Sequence, residues 1–172
     1  MTLATRASLA FLGMLLLCLP GCNRPDGVGG ERLVKAFEPG RDLPIQRSAV
    51  SVTGEAWRVN PDSAGSVRLF EIANPGLESV VLGYRAQLRA EDVRAAAYLE
   101  MWVRLPGRGT FFSKGVANPL RGTSEWASYE IPFLLKAGEA PDLIQLNIAF
   151  EEPGGAVYMR EVALVAVPLA GS

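Results

Sequence analysis

Aromatic and planar polar side chains alternate along one segment of the chain. Residues 95–105 carry Tyr98, Glu100, Trp102 and Arg104 at even positions, whereas the odd positions are apolar. Sugar rings pack on tryptophan or tyrosine, and carboxylate, amide and guanidinium groups bond hydroxyls in fixed directions. The pattern therefore suits carbohydrate recognition. It also suits cross-strand stabilisation, because aromatic residues favour strands and exposed ion pairs contribute about 0–1 kcal/mol each.

A second segment, residues 80–89, alternates in the same way and places Arg85, Gln87 and Arg89 on its polar side. If segments 80–89 and 95–105 are neighbouring strands, their polar faces adjoin. Gln145 and Asn147 alternate with apolar residues and are expected in the same sheet. The alternative is that this face packs on the N-terminal segment, which would bury the aromatic rings. The predicted ligand-binding residues are Trp102, Tyr98, Glu100, Arg104, Arg85, Gln87 and Asn147.

The composition excludes several classes of function. The chain has 172 residues, 17 of them Lys or Arg and 18 Asp or Glu, and it has no histidine. Triads with a histidine base and histidine-ligated zinc sites are therefore excluded. A net charge of −1 gives no reason to expect nucleic acid as a partner. Glu100 and Glu130 are the strand-embedded carboxylates available for glycoside hydrolysis, but neither belongs to a second motif, so we expect no enzyme.

The elements that must position these residues are short strands. Period-two alternation recurs from about residue 33 to residue 167, and turn-forming Asn, Pro, Asp and Gly separate the runs. About eight to ten strands at this spacing predict an all-β sandwich or barrel. The expected strands cover residues 33–38, 49–53, 56–59, 67–72, 80–89, 95–105, 109–114, 127–135, 143–150 and 156–167.

Three sequence motifs resemble those of the galactose-binding-domain-like jelly rolls, which include many carbohydrate-binding modules. Residues 37–40 (FEPG) resemble their opening F-E-x-G, and residues 122–129 (GTSEWASY) resemble G-T-x-x-W-x-x-Y. Residues 155–164 (GAVYMREVAL) resemble a final strand that reads G-x-V-aromatic-x-D-D-V-x-L. The resemblance covers roughly residues 33–167 and implies an antiparallel jelly-roll β-sandwich. It says little about the ligand, because such folds also serve other roles.

The same resemblance raises the question of a structural calcium ion. Relatives often hold calcium between the first strand's glutamate and an aspartate of the last strand. Glu38 matches, but the aspartate pair is replaced by Arg160 and Glu161. One expectation is a calcium site that uses Glu38 and Glu161. The other is that Arg160 supplies the positive charge that calcium supplies elsewhere.

The N-terminus has the pattern of an export signal. Arg6 precedes an apolar run over residues 7–19, which is too short to cross a hydrocarbon layer of about 30 Å comfortably. Residues 19–22 (LPGC) resemble the bacterial lipobox, which implies lipidation of Cys22. The alternative is an ordinary secretory signal with a chance cysteine. We predict a lipoprotein signal peptide over residues 1–21, a lipidated tether over 22–32 and the β-sandwich over 33–168.

These expectations combine into a lipid-anchored protein of the bacterial cell envelope that binds a ligand, most simply a carbohydrate, without catalysis. Asn23 is not the aspartate that retains some lipoproteins at the inner membrane, which favours the outer membrane. The competing hypothesis is a structural or protein-interaction lipoprotein with no small-molecule ligand. An exposed groove that contains the aromatic rings would favour the first hypothesis. A flat face or buried rings would favour the second.

Overall fold

The computed structural model describes residues 30–169, which form eleven strands and one short 3-10 helix over Arg47–Ala49. The all-β prediction is confirmed, and every expected segment contains a strand. The short strand β8 was not expected, because three residues are too few to show alternation. The strands are β1 (Arg32–Phe37), β2 (Val50–Thr53), β3 (Ala56–Val59), β4 (Gly65–Ala73), β5 (Val80–Glu91), β6 (Val93–Leu105), β7 (Gly109–Lys114), β8 (Leu120–Gly122), β9 (Ala127–Leu135), β10 (Leu143–Phe150) and β11 (Ala156–Pro168).

The strands form two antiparallel sheets that pack face to face as a jelly-roll β-sandwich. We call the five-stranded sheet the front sheet; its order is β4-β10-β6-β7, and β8 also pairs with β6. The six-stranded sheet is the back sheet; its order is β2-β3-β11-β5-β9, and β1 also pairs with β11. The outer surfaces of the two sheets are named the front face and the back face.

Alternation along the strands decides which side chains enter the core. In β5 the even positions from Val80 to Ala90 are buried, and in β6 the odd positions from Leu99 to Leu105 are buried. These two sets face each other between the sheets and lose their contact with water, which stabilises the sandwich. Phe70 of β4 stacks on Phe37 of β1 at 4.1 Å between ring centroids and so links the two sheets.

The expected pairing of segments 80–89 and 95–105 is wrong. β5 ends at Glu91, and β6 begins at Val93 in the opposite sheet. Asp92 between them has a φ of 52°, and its N–H donates to Thr123 Oγ1 at 3.1 Å. A Cβ on Gly155 would lie 2.3 Å from the Asp92 carbonyl oxygen, so only glycine fits there. The one-residue link is therefore an arch between the sheets and not a hairpin.

The predicted signal peptide, the lipidation site Cys22 and most of the tether lie outside the described residues. Within residues 30–169 there is no helix long and apolar enough to cross a membrane.

Candidate functional site

The structure divides the predicted ligand-binding residues between the two outer faces. Their separation follows from the arch at Asp92, which sends β5 and β6 into different sheets. The members on the front sheet are Tyr98, Glu100, Trp102, Arg104 and Asn147. The members on the back sheet are Arg85 and Gln87. The prediction of one site that contains all seven residues is therefore wrong.

An aromatic row crosses the front face. The strand register places Phe112 of β7 opposite Trp102 of β6, and Trp102 opposite Gln145 of β10. Trp102 is 37% exposed and Phe112 63% exposed, and their ring centroids are 6.1 Å apart. The Gln145 amide donates to Glu71 Oε1 at 2.6 Å. The row thus consists of two exposed aromatic rings followed by the Gln145 amide, whose orientation is fixed by its hydrogen bond to Glu71.

A polar row lies beside it and is largely buried. The Glu100 carboxylate is 5% exposed and accepts hydrogen bonds from Ser66 Oγ at 2.5 Å and from Asn147 Nδ2 at 3.4 Å. Asn147 is 3% exposed, and its Oδ1 has no hydrogen-bond partner among the described residues. A buried polar atom without a partner costs roughly 1–3 kcal/mol. Asn147 Oδ1 is therefore a buried, unsatisfied acceptor within this polar row.

The two rows border a groove of about 540 Å³ on the front face. One side of the groove is formed by residues 45–46, whose backbone N–H groups donate to the carbonyls of Leu69 and Arg68 on β4. Trp102 lies on the opposite side, so an aromatic ring and several amides face one space. The lining residues are Ile45, Gln46, Ser66, Arg68, Trp102, Gln145 and Asn147.

Two predicted members of the front face are already engaged by the protein. Tyr98 is 6% exposed and lies under Lys114, whose Nζ is 4.5 Å from the ring centroid. The Tyr98 hydroxyl donates to Glu151 at 2.5 Å, and this bond raises the pKa of Tyr98. Arg104 Nε donates to Asp142 Oδ1 at 2.8 Å, and this bond lowers the pKa of Asp142. Neither side chain lines the groove.

The back face carries a line of alternating guanidinium groups and aromatic rings, which we call the arginine–aromatic ladder. Arg89 lies 4.1 Å from the Tyr158 ring centroid and 6.0 Å from that of Trp126. Arg160 covers the same indole at 4.3 Å, and Arg58 lies 5.9 Å from Tyr158. Each ring of the ladder therefore has a cation within about 4.3 Å of its centroid.

Arg85 and Gln87 are also occupied on the back face. The Arg85 guanidinium forms an ion pair with Glu31. The Gln87 amide donates to Glu161 at 2.9 Å, and its Oε1 accepts from Arg160 Nε at 2.9 Å. A cavity of about 320 Å³ beside them is also lined by Ser128, Tyr129 and Glu130. Both predicted residues bind their neighbours on the back face and lie apart from the front-face groove.

The residues predicted for calcium are each bound to a polar side chain of the protein. The Glu38 carboxylate pairs with Arg41 at 2.8 Å, and Glu161 accepts from Gln87. Across residues 30–169 no three acidic, histidine or cysteine side chains are grouped to hold a metal ion. Calcium needs six to eight oxygen ligands, and these two carboxylates do not supply them. A calcium site stays a prediction from the resemblance.

Several residues of the front face were missing from the predicted site. Ser66 and Arg68 lie on β4, where alternation with buried Val67 and Leu69 signals an outward face. Phe112 follows Phe111 in a short strand, so one of the two rings had to point outward. Ile45 gave no such signal, because it lies in a loop whose position depends on backbone bonds to β4.

Comparison with known proteins gives structural neighbours only. No family model and no curated protein matches the chain. Among solved structures, "CBM4 structure and function" matches at 10% identity and a TM-score of 0.46, covering 82% of this chain and 81% of the other. A family 29 carbohydrate-binding module from Piromyces equi matches at 12% identity and a TM-score of 0.47, covering 83% and 93%.

A third neighbour is the CBM22-1 xylan-binding domain from Paenibacillus barcinonensis Xyn10C. It matches at 10% identity and a TM-score of 0.42, covering 81% of this chain and 94% of the other. The neighbours are β-sandwich carbohydrate-binding modules, but identities this low and TM-scores below 0.5 bring no ligand to this chain.

Proposed function

We propose that the front face binds carbohydrate without catalysis, in the groove between residues 45–46 and Trp102. The observation that carries the proposal is the exposed Trp102 ring in a groove that Asn147 also lines, with the Asn147 Oδ1 buried and without a hydrogen-bond partner among the described residues. A sugar offers an apolar face of C–H groups to an indole and hydroxyl donors to an amide oxygen at its edge. The two features of the groove match the two features of that ligand class.

The polar groups around the Trp102 indole are placed to orient a bound ligand. Gln145 is held by Glu71, and Asn147 is held by Glu100, so both amides are fixed before a ligand arrives. Preorganised groups lose little conformational entropy on binding. The Arg68 side chain is 51% exposed and supplies further donors at the groove edge.

The same geometry supports binding over hydrolysis. Glu100 is nearly buried and already accepts two hydrogen bonds, which leaves it poorly placed to exchange a proton with a ligand. Glu130 belongs to β9 of the back sheet and cannot face Glu100 across the groove. Glycoside hydrolysis needs two carboxylates on opposite sides of one bond.

A binding panel with matched variants tests the proposal. The purified protein is screened against neutral and acidic glycans, together with Trp102→Ala and Trp126→Ala. We expect Trp102→Ala to weaken binding at least about tenfold, because truncating a tryptophan at the centre of a binding site commonly costs about 2 kcal/mol or more and about 1.4 kcal/mol is tenfold. Trp126→Ala is the control, because its indole lies on the back face between two arginines.

Two outcomes would contradict the proposal. One is glycan binding that survives Trp102→Ala and is lost in Trp126→Ala, which would move the site to the back face. The other is a folded protein that binds no glycan. That result would favour the competing function, docking of an envelope protein on the front face, for which the exposed Phe112 ring is also suited.

We further propose that the protein is anchored to the bacterial envelope, more specifically the outer membrane, through lipid on Cys22. The support is the apolar run over residues 7–19 followed by residues 19–22 (LPGC). Metabolic labelling with palmitate tests it: the wild-type chain should take up label and sediment with membranes. Cys22→Ser should do neither, and label that persists in this variant would refute the anchor.

A further inference from the structure

The exposed edges of the two sheets differ in how they are protected from pairing with another strand. Natural proteins protect edges with charges, proline, bulges or a covering segment. In the back sheet, Pro132 lies within the edge strand β9, and β1 has a bulge between Leu33 and Lys35. In the front sheet, residues 45–46 cover β4 through backbone hydrogen bonds. The edges formed by β9, β1 and β4 are therefore poor templates for a further strand, and the remaining edge strand β2 has only four residues.

The β7 edge has none of these protections over residues 109–113. The segment is Gly-Thr-Phe-Phe-Ser, without charge or proline, and it pairs with β6 in continuous register. Phe111 is 41% exposed and Phe112 is 63% exposed. An exposed apolar edge of this kind favours the addition of another strand.

The direction of the backbone groups on β7 shows which residues are free to pair. Gly115 N–H donates to the Leu99 carbonyl at 2.9 Å, which makes 99 and 115 a hydrogen-bonded pair. Bonded and non-bonded pairs alternate in an antiparallel ladder, so residues 113, 111 and 109 also turn their backbone groups towards β6. Thr110 and Phe112 must then direct their N–H and C=O groups outward.

We propose that β7 pairs with β7 of a second copy of this chain, antiparallel and centred on Phe111. Under this register Thr110 bonds to Phe112 of the partner subunit and Phe112 bonds to Thr110 of the partner subunit. The two Phe111 side chains then meet as a non-bonded pair on the inner side, where Cα atoms are about 4.5 Å apart. All the outward backbone groups of residues 110 and 112 are satisfied at once.

The second copy is favoured over another protein because the segment is complementary to itself. A two-fold axis at Phe111 pairs an uncharged edge with an identical one and covers both exposed rings. The cations near its ends lie on opposite faces and do not meet. Lys114 covers Tyr98 on the front face, whereas Arg108 pairs with Glu139 at 2.5 Å and lies over Phe111 on the inner side.

The dimer would also extend the candidate site, a consequence that rests on the proposed function. The two-fold axis is perpendicular to the sheet, so both front faces point to the same side. The partner subunit's Phe112 then lies beside Thr110 and Phe112, and the aromatic rows of the two copies form one platform. Because the strand contact is short, the dimer is expected to be weak and to depend on concentration.

Sedimentation at increasing protein concentration, without glycan, tests the inference. The wild-type chain should shift from monomer to dimer, whereas Phe111→Lys and Phe111→Glu should each stay monomeric, because like charges oppose each other at the axis. An equimolar mixture of the two variants should dimerise again, because opposite charges then face each other. Leu134→Lys, an equally drastic change at a 49% exposed position of β9, should dimerise as the wild type does.

Three results would overturn the inference: a wild-type chain that stays monomeric at millimolar concentration, Phe111→Lys that dimerises unchanged, or a mixture that stays monomeric. Circular dichroism of each variant establishes that it is folded. Trp102→Ala should still dimerise. A variant can therefore lose glycan binding and still dimerise. Failure of the proposed function is thus distinguishable from failure of this contact.

Discussion

The front and back faces carry the same residue types, arginine, tryptophan, glutamate and glutamine, but they use them differently. On the back face, Trp126 lies between Arg160 at 4.3 Å and Arg89 at 6.0 Å. On the front face, Trp102 contacts one ring, Phe112, and the rest of its exposed surface lines a groove. An aromatic residue beside arginines therefore does not identify a binding site until the partners of the ring are known.

The amides show the same contrast. Gln87 on the back face uses both its donor and its acceptor on neighbouring side chains. Asn147 on the front face donates to Glu100, but its Oδ1 has no partner in the described part of the chain. Gln87 is thus satisfied by protein partners, whereas Asn147 keeps an unused acceptor.

The largest effect on stability should come from the buried carboxylate of the front face. Glu100→Ala removes the acceptor of Ser66 Oγ and of Asn147 Nδ2, which leaves buried donors without a partner. We expect a loss of about 2–3 kcal/mol in the free energy of unfolding, measured with denaturant. Gln87→Ala on the back face is the matched control and should cost less than about 1 kcal/mol, because its partners stay in contact with water.

Equal losses for Glu100→Ala and Gln87→Ala would break the contrast between the faces. The result would mean that the back-face amide network is as important for stability as the buried one. A larger loss for Gln87→Ala would reverse the contrast altogether.

The next largest effect is expected from two arginine substitutions, one of which should lower stability and the other glycan affinity. Arg89→Ala removes the cation that lies over Tyr158 and Trp126, and should cost about 1–2 kcal/mol without changing glycan affinity. Arg68→Ala should cost less than about 1 kcal/mol, because the Arg68–Glu71 ion pair is exposed and long at 3.7 Å, but should weaken glycan binding. Thermal melts and titration with the best glycan measure both. An Arg89→Ala variant that loses affinity at unchanged stability would contradict this division.

The two-residue alternation predicted which side chains of a strand point into the core. It did not predict which of the two sheets the strand joins. Residues 80–89 and 95–105 each bury the predicted side chains, as Leu82 and Met101 show. Alternation is a property of one strand, so it cannot say which strand lies beside it. A short connection usually indicates a hairpin, but here Asp92 adopts a left-handed conformation and crosses to the other sheet. That crossing depends on contacts with Thr123 and Gly155, which are distant in sequence.

The candidate site was also predictable only where it depends on the alternation within single strands. Trp102, Glu100 and Asn147 do lie in one neighbourhood, because all three occupy outward positions of two strands that pair. Arg85 and Gln87 were joined to them only through the wrong strand pairing. The wall formed by Ile45 had no pattern to reveal it, because a loop acquires its place from tertiary hydrogen bonds.

The smallest effect concerns an ion pair at the end of the front sheet. The Arg104 guanidinium keeps the pKa of Asp142 below its ordinary value, so folding stabilises the charged carboxylate. That contribution is complete above the unfolded pKa of about 4 and is lost as the pH falls through the lower folded value. Asp142→Asn should therefore be slightly less stable than the wild type at pH 7, and the difference should vanish in strong acid.

Because Arg104 does not line the groove, Arg104→Ala should leave glycan affinity unchanged. A loss of affinity would extend the site beyond Trp102 along β6.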